Sequence, residues 1–364
     1  MEVRPRVLQV LYSGLGGHGS VVFSLIKGDL HRQWNHFLIF YGVEDLKKDY
    51  EEYCRLNCIP FLFIKKSAGL DIGAIKNIRN FIRKNSIDYV LLHSTTLIPF
   101  LTAPKYFSRY KVILVEHTPN QSKTKTEWMA SLWGNLFAFK TVYLTDQYRS
   151  EVKSSLGPAF KLNRTYVIPN GIDTTYFYPS THQNNESITI SMVGRFSHTK
   201  DQATLIKACK FLKEAKCNFN FRLILAGDGD CLDSAKRLAL ELSITNIVDF
   251  KGSISESEIV ILLKQTDIYV HSSFSETMST SIMQAMACGL PIIASNVSGI
   301  SNMLSHEETA LLVRTADVGM LGEALIELIT NMNKRVALGE NARNYAVANF
   351  SNQTMFRRYN GLLD

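Results

Sequence analysis

At 364 residues, 46% hydrophobic and 20% charged, the chain is long enough for two domains and reads as globular, which excludes a disordered polypeptide. No apolar run reaches the roughly 18 residues of a membrane span, and the opening "VLQVLY" is too short for a signal-peptide core. The formal charge of +7 sits wholly in the first half: residues 1–175 carry 23 Lys and Arg against 14 Asp and Glu, a net of +9, and residues 176–364 carry 17 against 19, a net of −2. A one-sided basic surface suits an anionic partner such as a phosphorylated acceptor or a membrane face, whereas the absence of a binding motif argues against nucleic acid. The six cysteines are scattered, with no neighbours at zinc-ligand spacing, and are expected to be reduced thiols in a cytoplasmic protein with no metal.

Short apolar runs alternate with amphipathic stretches along the whole chain. "RVLQVLY", "HFLIFYG", "DYVLLHS", "KVILVEH", "TVYLTD" and "TYVIPNG" are the predicted strands of the first half. "ITISMVG", "FRLILAG", "IVDFKG", "DIYVHSS" and "PIIASN" are those of the second. Continuous apolar strands between helices indicate parallel sheets covered on both faces, and two such series indicate two doubly wound α/β domains. The polar "PSTHQNNES", Pro179 to Ser187, reads as the linker. In such sheets ligands bind beyond the carboxyl ends of the strands.

The junctions carry the chemistry. In "YSGLGGHGS", Gly14, Gly16 and Gly19 match G-x-G-x-x-G between a strand and a helix. Three readings remain open: a dinucleotide fingerprint with Glu44 on the ribose, a loop against a diphosphate or acceptor, and a plain tight turn. "VEHT" places Glu116 and His117 at a strand's carboxyl end, where a His can donate to a sugar hydroxyl or a developing charge. "IPNGID" is turn chemistry.

In "VGRFSHTKD" a strand stops at Gly194, and Arg195 and Lys200 emerge before a helix starting near Asp201. Two cations beside a helix N-terminus suit a diphosphate without a metal. "AGDGD" adds Gly227 at the same edge. In "SETMSTSIMQAMACG", Glu276 sits on a loop and Thr277, Met278 and Ser279 open a helix that Gly289 stops. Gln284 lies two turns in, about 8–12 Å from the helix start, so Glu276 and Gln284 suit opposite ends of one extended ligand. "NQSKTKTEWMASLWGNLFAFK", residues 120–140, mixes Lys with Trp128, Trp133 and Phe137 and reads either as a packed helix or as a membrane contact.

Together "VGRFSHTKD", "AGDGD", "SSFSETMSTSIMQAMACGLPIIAS" and "IPNGID", in that family's spacing, resemble the GT-B glycosyltransferases of family 4, the retaining glycosyltransferases group 1. The closing "FSNQTMFRRYNGLL" resembles that family's last helix, which crosses back to the N-terminal domain. The resemblance implies an α/β GT-B fold, two doubly wound Rossmann-like domains facing a central cleft. It implies an acceptor-binding domain over 1–175, a nucleotide-sugar domain over 176–345 and the crossing helix over 346–364. Arg195 and Lys200 match the pair that binds the donor diphosphate, Glu276 the carboxylate at the donor sugar, and Thr277, Met278 and Ser279 the backbone amides beside it. Gly16 and Gly17 match the N-terminal glycine loop, and His117 the histidine near the transferred sugar. Gln284 stands where the family has the second Glu of E-x7-E, which binds the ribose.

A Gln keeps one acceptor oxygen and adds two donors, so the exchange is expected to cost about 1 kcal/mol of donor affinity and to spare the chemistry. The expected activity is a metal-independent, retaining hexosyl transfer that needs no cofactor. The donor is a nucleotide-diphosphate sugar, expected to be UDP-linked, and the acceptor a saccharide or lipid-linked glycan of cell-surface polysaccharide, lipopolysaccharide or capsule synthesis. The expected place is the cytoplasm, at the inner face of its membrane. A sugar-nucleotide epimerase of the same fold and a non-catalytic nucleotide-sugar-binding protein are the alternatives, with a nicotinamide oxidoreductase behind them.

Overall fold

A computed structural model describes residues 4–13, 18–67, 69, 71–102, 110–118, 120, 123–180, 187–215 and 220–363. Its contacts separate into two units, Met1–Gly171 with Asn352–Asp364, and Ile172–Ser351. The break therefore falls at Gly171–Ile172 and not in the polar stretch 179–187. Ile172 is held to the second unit because its N–H donates to the Phe350 carbonyl at 2.8 Å and it bridges Ser351.

In the first unit the strands are β1 (Arg6–Tyr12), β2 (Asn35–Gly42), β3 (Phe61–Lys65), β4 (Tyr89–Leu92), β5 (Lys111–Glu116), β6 (Lys140–Tyr143) and β7 (Thr165–Val167). The helices are α1 (His18–Gly28), α2 (Lys48–Leu56), α3 (Ile72–Lys84), α4 (Ile98–Leu101), α5 (Lys125–Phe137) and α6 (Asp146–Leu156). Among the described residues these strands pair in parallel in the order β3-β2-β1-β4-β5-β6-β7. Successive side chains of a strand face opposite ways, and both faces of this sheet are covered: Leu8 and Val10 join the core with Ile75 and Ile78, whereas Val7 joins the one with Val21 and Leu25.

The second unit has β8 (Ile188–Val193), β9 (Phe221–Ala226), β10 (Val248–Gly252), β11 (Ile268–His271), β12 (Ile292–Ser295) and β13 (Leu311–Val313), in the parallel order β10-β9-β8-β11-β12-β13. Its helices are α7 (Gln202–Glu214), α8 (Leu232–Glu241), α9 (Glu256–Lys264), α10 (Thr280–Ala287), α11 (Ser298–Ser301), α12 (Val318–Thr330) and α13 (Met332–Phe350). Ile190, Met192, Leu223, Leu225, Ile268 and Val270 are fully buried against Leu205, Leu325 and Leu328. Each such side chain contributes about 1.5–3 kcal/mol of burial.

Two strands were not expected: β3 is an edge strand that is only half buried, and β13 has three residues, too few for a readable pattern. The last helix also begins later than expected. Residues 346–350 finish α13, Ser351 turns extended at φ −67°, ψ 147°, and α14 (Asn352–Asn360) then packs on α1 in the first unit. Met355, Phe356 and Tyr359 of α14 join the core of Val21, Leu25 and Trp34, whose Nε1–H donates to Asn360 Oδ1 at 2.7 Å.

Candidate active site

Each sheet reverses its strand order once, at β1/β4 in the first unit and at β8/β11 in the second, and these reversals open the crevices where ligands bind. In the second unit the loop after β8 brings Gly194, Arg195 and Lys200 to the reversal, and the loop after β11 brings Glu276. The two loops are tied together. Phe274 N–H donates to the Thr199 carbonyl at 2.8 Å, Ser273 Oγ–H to the same carbonyl at 2.8 Å, and Asp201 N–H to the Ser272 carbonyl at 3.1 Å. Asp201 then caps α7 by accepting from Thr204 N–H at 3.1 Å.

The Lys200 ammonium contacts Glu276 Oε1, and their side chains are 16% and 11% exposed. His271, fully buried at the end of β11, lies with Nε2 2.8 Å from the same oxygen and 3.5 Å from Lys200 Nζ. Its Nδ1 faces the Tyr269 hydroxyl at 3.3 Å, and Ser279 Oγ is 3.5 Å from Nε2. Burial pulls the Lys200 ammonium down to about 8, against the contact with Glu276, and burial together with Lys200 holds His271 well below its ordinary value. Burial pushes the Tyr269 hydroxyl up to about 12. Burial and Lys200 thus both favour the neutral form of the His271 ring.

Arg195 is exposed, and its guanidinium has no partner among the described residues. Thr277, buried Met278 and Ser279 precede α10, with Ser279 Oγ accepting from Ile282 N–H at 3.4 Å as the cap. Gln284 is buried on α10, and its side-chain amide makes no hydrogen bond among the described residues, whereas a core Gln would ordinarily be bonded to backbone.

Two glycines let these loops close. Gly227 has φ +139°, and a Cβ there would lie 2.0 Å from the Gly194 carbonyl oxygen. At Gly299, in α11, a Cβ would lie 1.9 Å from the Glu276 carbonyl oxygen, so the backbone carrying Glu276 requires glycine beneath it.

The first unit's reversal is different in kind. His117 Nε2 is 2.9 Å from His93 Nδ1, and His93 Nε2 is 3.2 Å from Gln9 Oε1 of β1. Glu116 is fully buried and paired with Lys123 at 3.0 Å. Gly14, Gly16 and Gly17 lie outside the described residues, and Gly19 falls in the first turn of α1. The sequence alone does not single out His93, His271, Tyr269 or Gly299. A polar side chain ending an otherwise apolar strand, as in "VLLHS" and "IYVHSS", was the available signal for the two histidines. Among the described residues no group of three or more His, Cys, Asp or Glu is arranged to hold a metal, and no helix is long and apolar enough to cross a membrane.

Two parallel Rossmann-like sheets, the second with a charged cluster at its strand reversal, define a GT-B-type α/β protein. The chain matches Glycosyltransferase Family 4 over residues 15–176 and Glycosyl transferases group 1 over residues 177–345. It belongs to this glycosyltransferase family. An uncharacterized glycosyltransferase of Methanocaldococcus jannaschii is 26% identical over 323 residues, which cover 81% of this chain and 80% of that one. The GDP-mannose-dependent alpha-(1-6)-phosphatidylinositol monomannoside mannosyltransferase of Mycobacterium tuberculosis is 24% identical over 229 residues, 58% of each chain. Anabaena HepE, solved in complex with UDP and glucose, shares the fold with a TM-score of 0.82 at 18% identity over 98% of each chain.

Proposed function

We propose that this glycosyltransferase is a retaining, metal-independent enzyme that moves a hexose from a nucleotide-diphosphate sugar, UDP-linked, to a saccharide or lipid-linked glycan. The observation that carries this reading is the Lys200–Glu276 pair at the β8/β11 reversal, with an Arg195 guanidinium that has no partner among the described residues. Arg195 and Lys200 supply the positive charge that a departing diphosphate needs, so the reading assigns no step to a metal or cofactor. Glu276 meets the donor sugar, the amides of Thr277, Met278 and Ser279 its oxygens, Gly194 and Gly227 leave room for the diphosphate, and Gln284 meets the ribose. The UDP and glucose named with Anabaena HepE support the choice of nucleotide.

In this reading the anomeric C1–O bond breaks and its electron pair leaves with the nucleoside diphosphate. The acceptor oxygen bonds to C1 from the same face, and its proton passes to the departing phosphate. Acceptor recognition is assigned to the first unit, with Gly16, Gly17 and His117, and the product to cell-surface polysaccharide synthesis. Support for a membrane-borne acceptor comes from α5, where Met129, Trp133 and Phe137 are exposed at i, i+4, i+8 in the unit that carries the net positive charge. Lys123 and Trp128 do not share in that surface, because Lys123 is buried against the Trp128 ring.

A panel of labelled nucleotide sugars tests the reading. Slow release of free nucleoside diphosphate from one donor, accelerated by an acceptor glycan, is expected. Interconversion of two sugars would mean an epimerase, and binding without turnover in the presence of acceptor lipids a binding protein.

A further inference from the structure

Glu276 is unequally occupied. Its Oε1 receives both Lys200 Nζ and His271 Nε2, whereas Oε2 has no hydrogen-bond partner among the described residues. In the proposed reaction Lys200 turns to the diphosphate, which leaves His271 as the one described donor on Oε1. The ring that donates is itself fixed. A carboxylate carries no proton to give, so a neutral imidazole that bonds Glu276 holds its hydrogen on Nε2, which leaves Nδ1 as an acceptor facing the Tyr269 hydroxyl at 3.3 Å. That hydroxyl has one hydrogen, shared between His271 Nδ1 and the Val193 carbonyl oxygen at 3.3 Å, and its oxygen lies 3.5 Å from Val193 N–H at the end of β8. The opposite tautomer would set a lone pair against the carboxylate.

We infer that His271 is a positioning residue for the donor-sugar carboxylate: its buried ring, oriented by Tyr269, grips Glu276 Oε1 and so presents Oε2 to the sugar. This rests on the placement of Glu276 at the donor sugar given above. Because the grip comes from β11 itself, the carboxylate keeps its place when the cation beside it moves. A nucleoside diphosphate lacks the sugar and does not use Oε2, so the device affects the sugar nucleotide alone.

Calorimetric binding of UDP and UDP-glucose, with GDP and GDP-mannose as the second pair, tests this in wild type, His271→Leu, His271→Gln and Glu276→Ala. Leu fills the space without a donor, whereas the Gln amide nitrogen reaches the position of Nε2. His271→Leu is expected to weaken the sugar nucleotide about thirtyfold, the scale of one charged hydrogen bond, and the nucleoside diphosphate by less than about twofold. His271→Gln should recover most of the loss. Equal weakening of both ligands, no weakening, or no recovery with Gln overturns the inference. If Glu276→Ala keeps its preference for the sugar nucleotide, the sugar assignment itself falls, and this inference with it. Nitrogen-15 spectra of the histidines provide a measurement that needs no variant to fold. The Nε2–H tautomer of His271 is expected from pH 6 to 8, and an Nδ1–H tautomer or an imidazolium overturns the inference.

Discussion

Each unit holds a Lys–Glu pair beyond the carboxyl end of a central strand, and the two pairs have opposite fates. In the first unit Glu116 and Lys123 are both fully buried. Lys123 Nζ also donates to Ser131 Oγ at 2.9 Å and sits under the rings of Trp128 and Tyr148, whose hydroxyl reaches Glu116 Oε2 at 3.2 Å. In the second unit Lys200 and Glu276 keep a window to solvent, and beside them Arg195 and Glu276 Oε2 are unpartnered among the described residues. Glu116 Oε1 is also without a hydrogen-bond partner, but burial puts it out of a ligand's reach, whereas the second pair's left-over donors and acceptors lie at an open edge. Charge at a strand end therefore does not by itself mark chemistry. The surroundings decide.

The largest effects should separate the two pairs by what they damage. Lys123→Met leaves Glu116 buried and uncompensated and should cost about 3–5 kcal/mol of stability in chemical denaturation, most of it recovered in Lys123→Met/Glu116→Gln. Glu276→Ala should lower turnover about 10³-fold while the melting temperature stays close to wild type. Equal loss of stability in both variants would erase the distinction.

Gly227→Ala comes next, because its Cβ would meet the Gly194 carbonyl at a positive φ. A loss of about 2–3 kcal/mol is expected, together with weaker nucleotide binding. A smaller effect is expected from pH. The Lys200 ammonium titrates at about 8 against an ordinary 10.5, so its charge opposes folding below about pH 8, and that cost is relieved as pH rises from about 8 towards 10.5. Function runs the other way: above about pH 8 the neutral amine no longer draws a diphosphate, so donor kcat/KM should fall by up to about tenfold per unit. Lys200→Arg should lack this alkaline limb, and a limb that persists in it would assign the titration elsewhere. The smallest effect belongs to Gln284→Glu, a change of about 1 kcal/mol, several-fold in donor KM, with kcat little altered. An unchanged KM would remove Gln284 from the ribose.

The second unit was the more legible in the sequence for a physical reason. Its site is built from loops whose residues are close together in the chain, so "VGRFSHTKD" and "SETMSTSIMQ" each display a whole wall. The pairing of Lys200 with Glu276, 76 positions apart, and the role of Gly299 beneath Glu276 are tertiary facts, the first set by β8 lying beside β11 and the second by β12 on the other side of β11. His271 was hidden because a histidine inside an apolar run reads as core, which it also is. In the first unit His117 was found while its partner His93, 24 positions earlier, was not, since only the β4–β5 pairing brings them together. The strand series was readable except at the half-buried edge strand β3 and the three-residue β13.

The placement of α14 has a consequence for how the polypeptide is made. The groove formed by Val21, Leu25 and Trp34 is filled by Met355, Phe356 and Tyr359, which leave the ribosome only after the whole of the second unit. At about 5–20 residues per second that greasy groove waits on the order of half a minute for its cover. The half begun first is the half finished last, and a nascent chain stalled anywhere in the second unit offers a ready-made handle to chaperones.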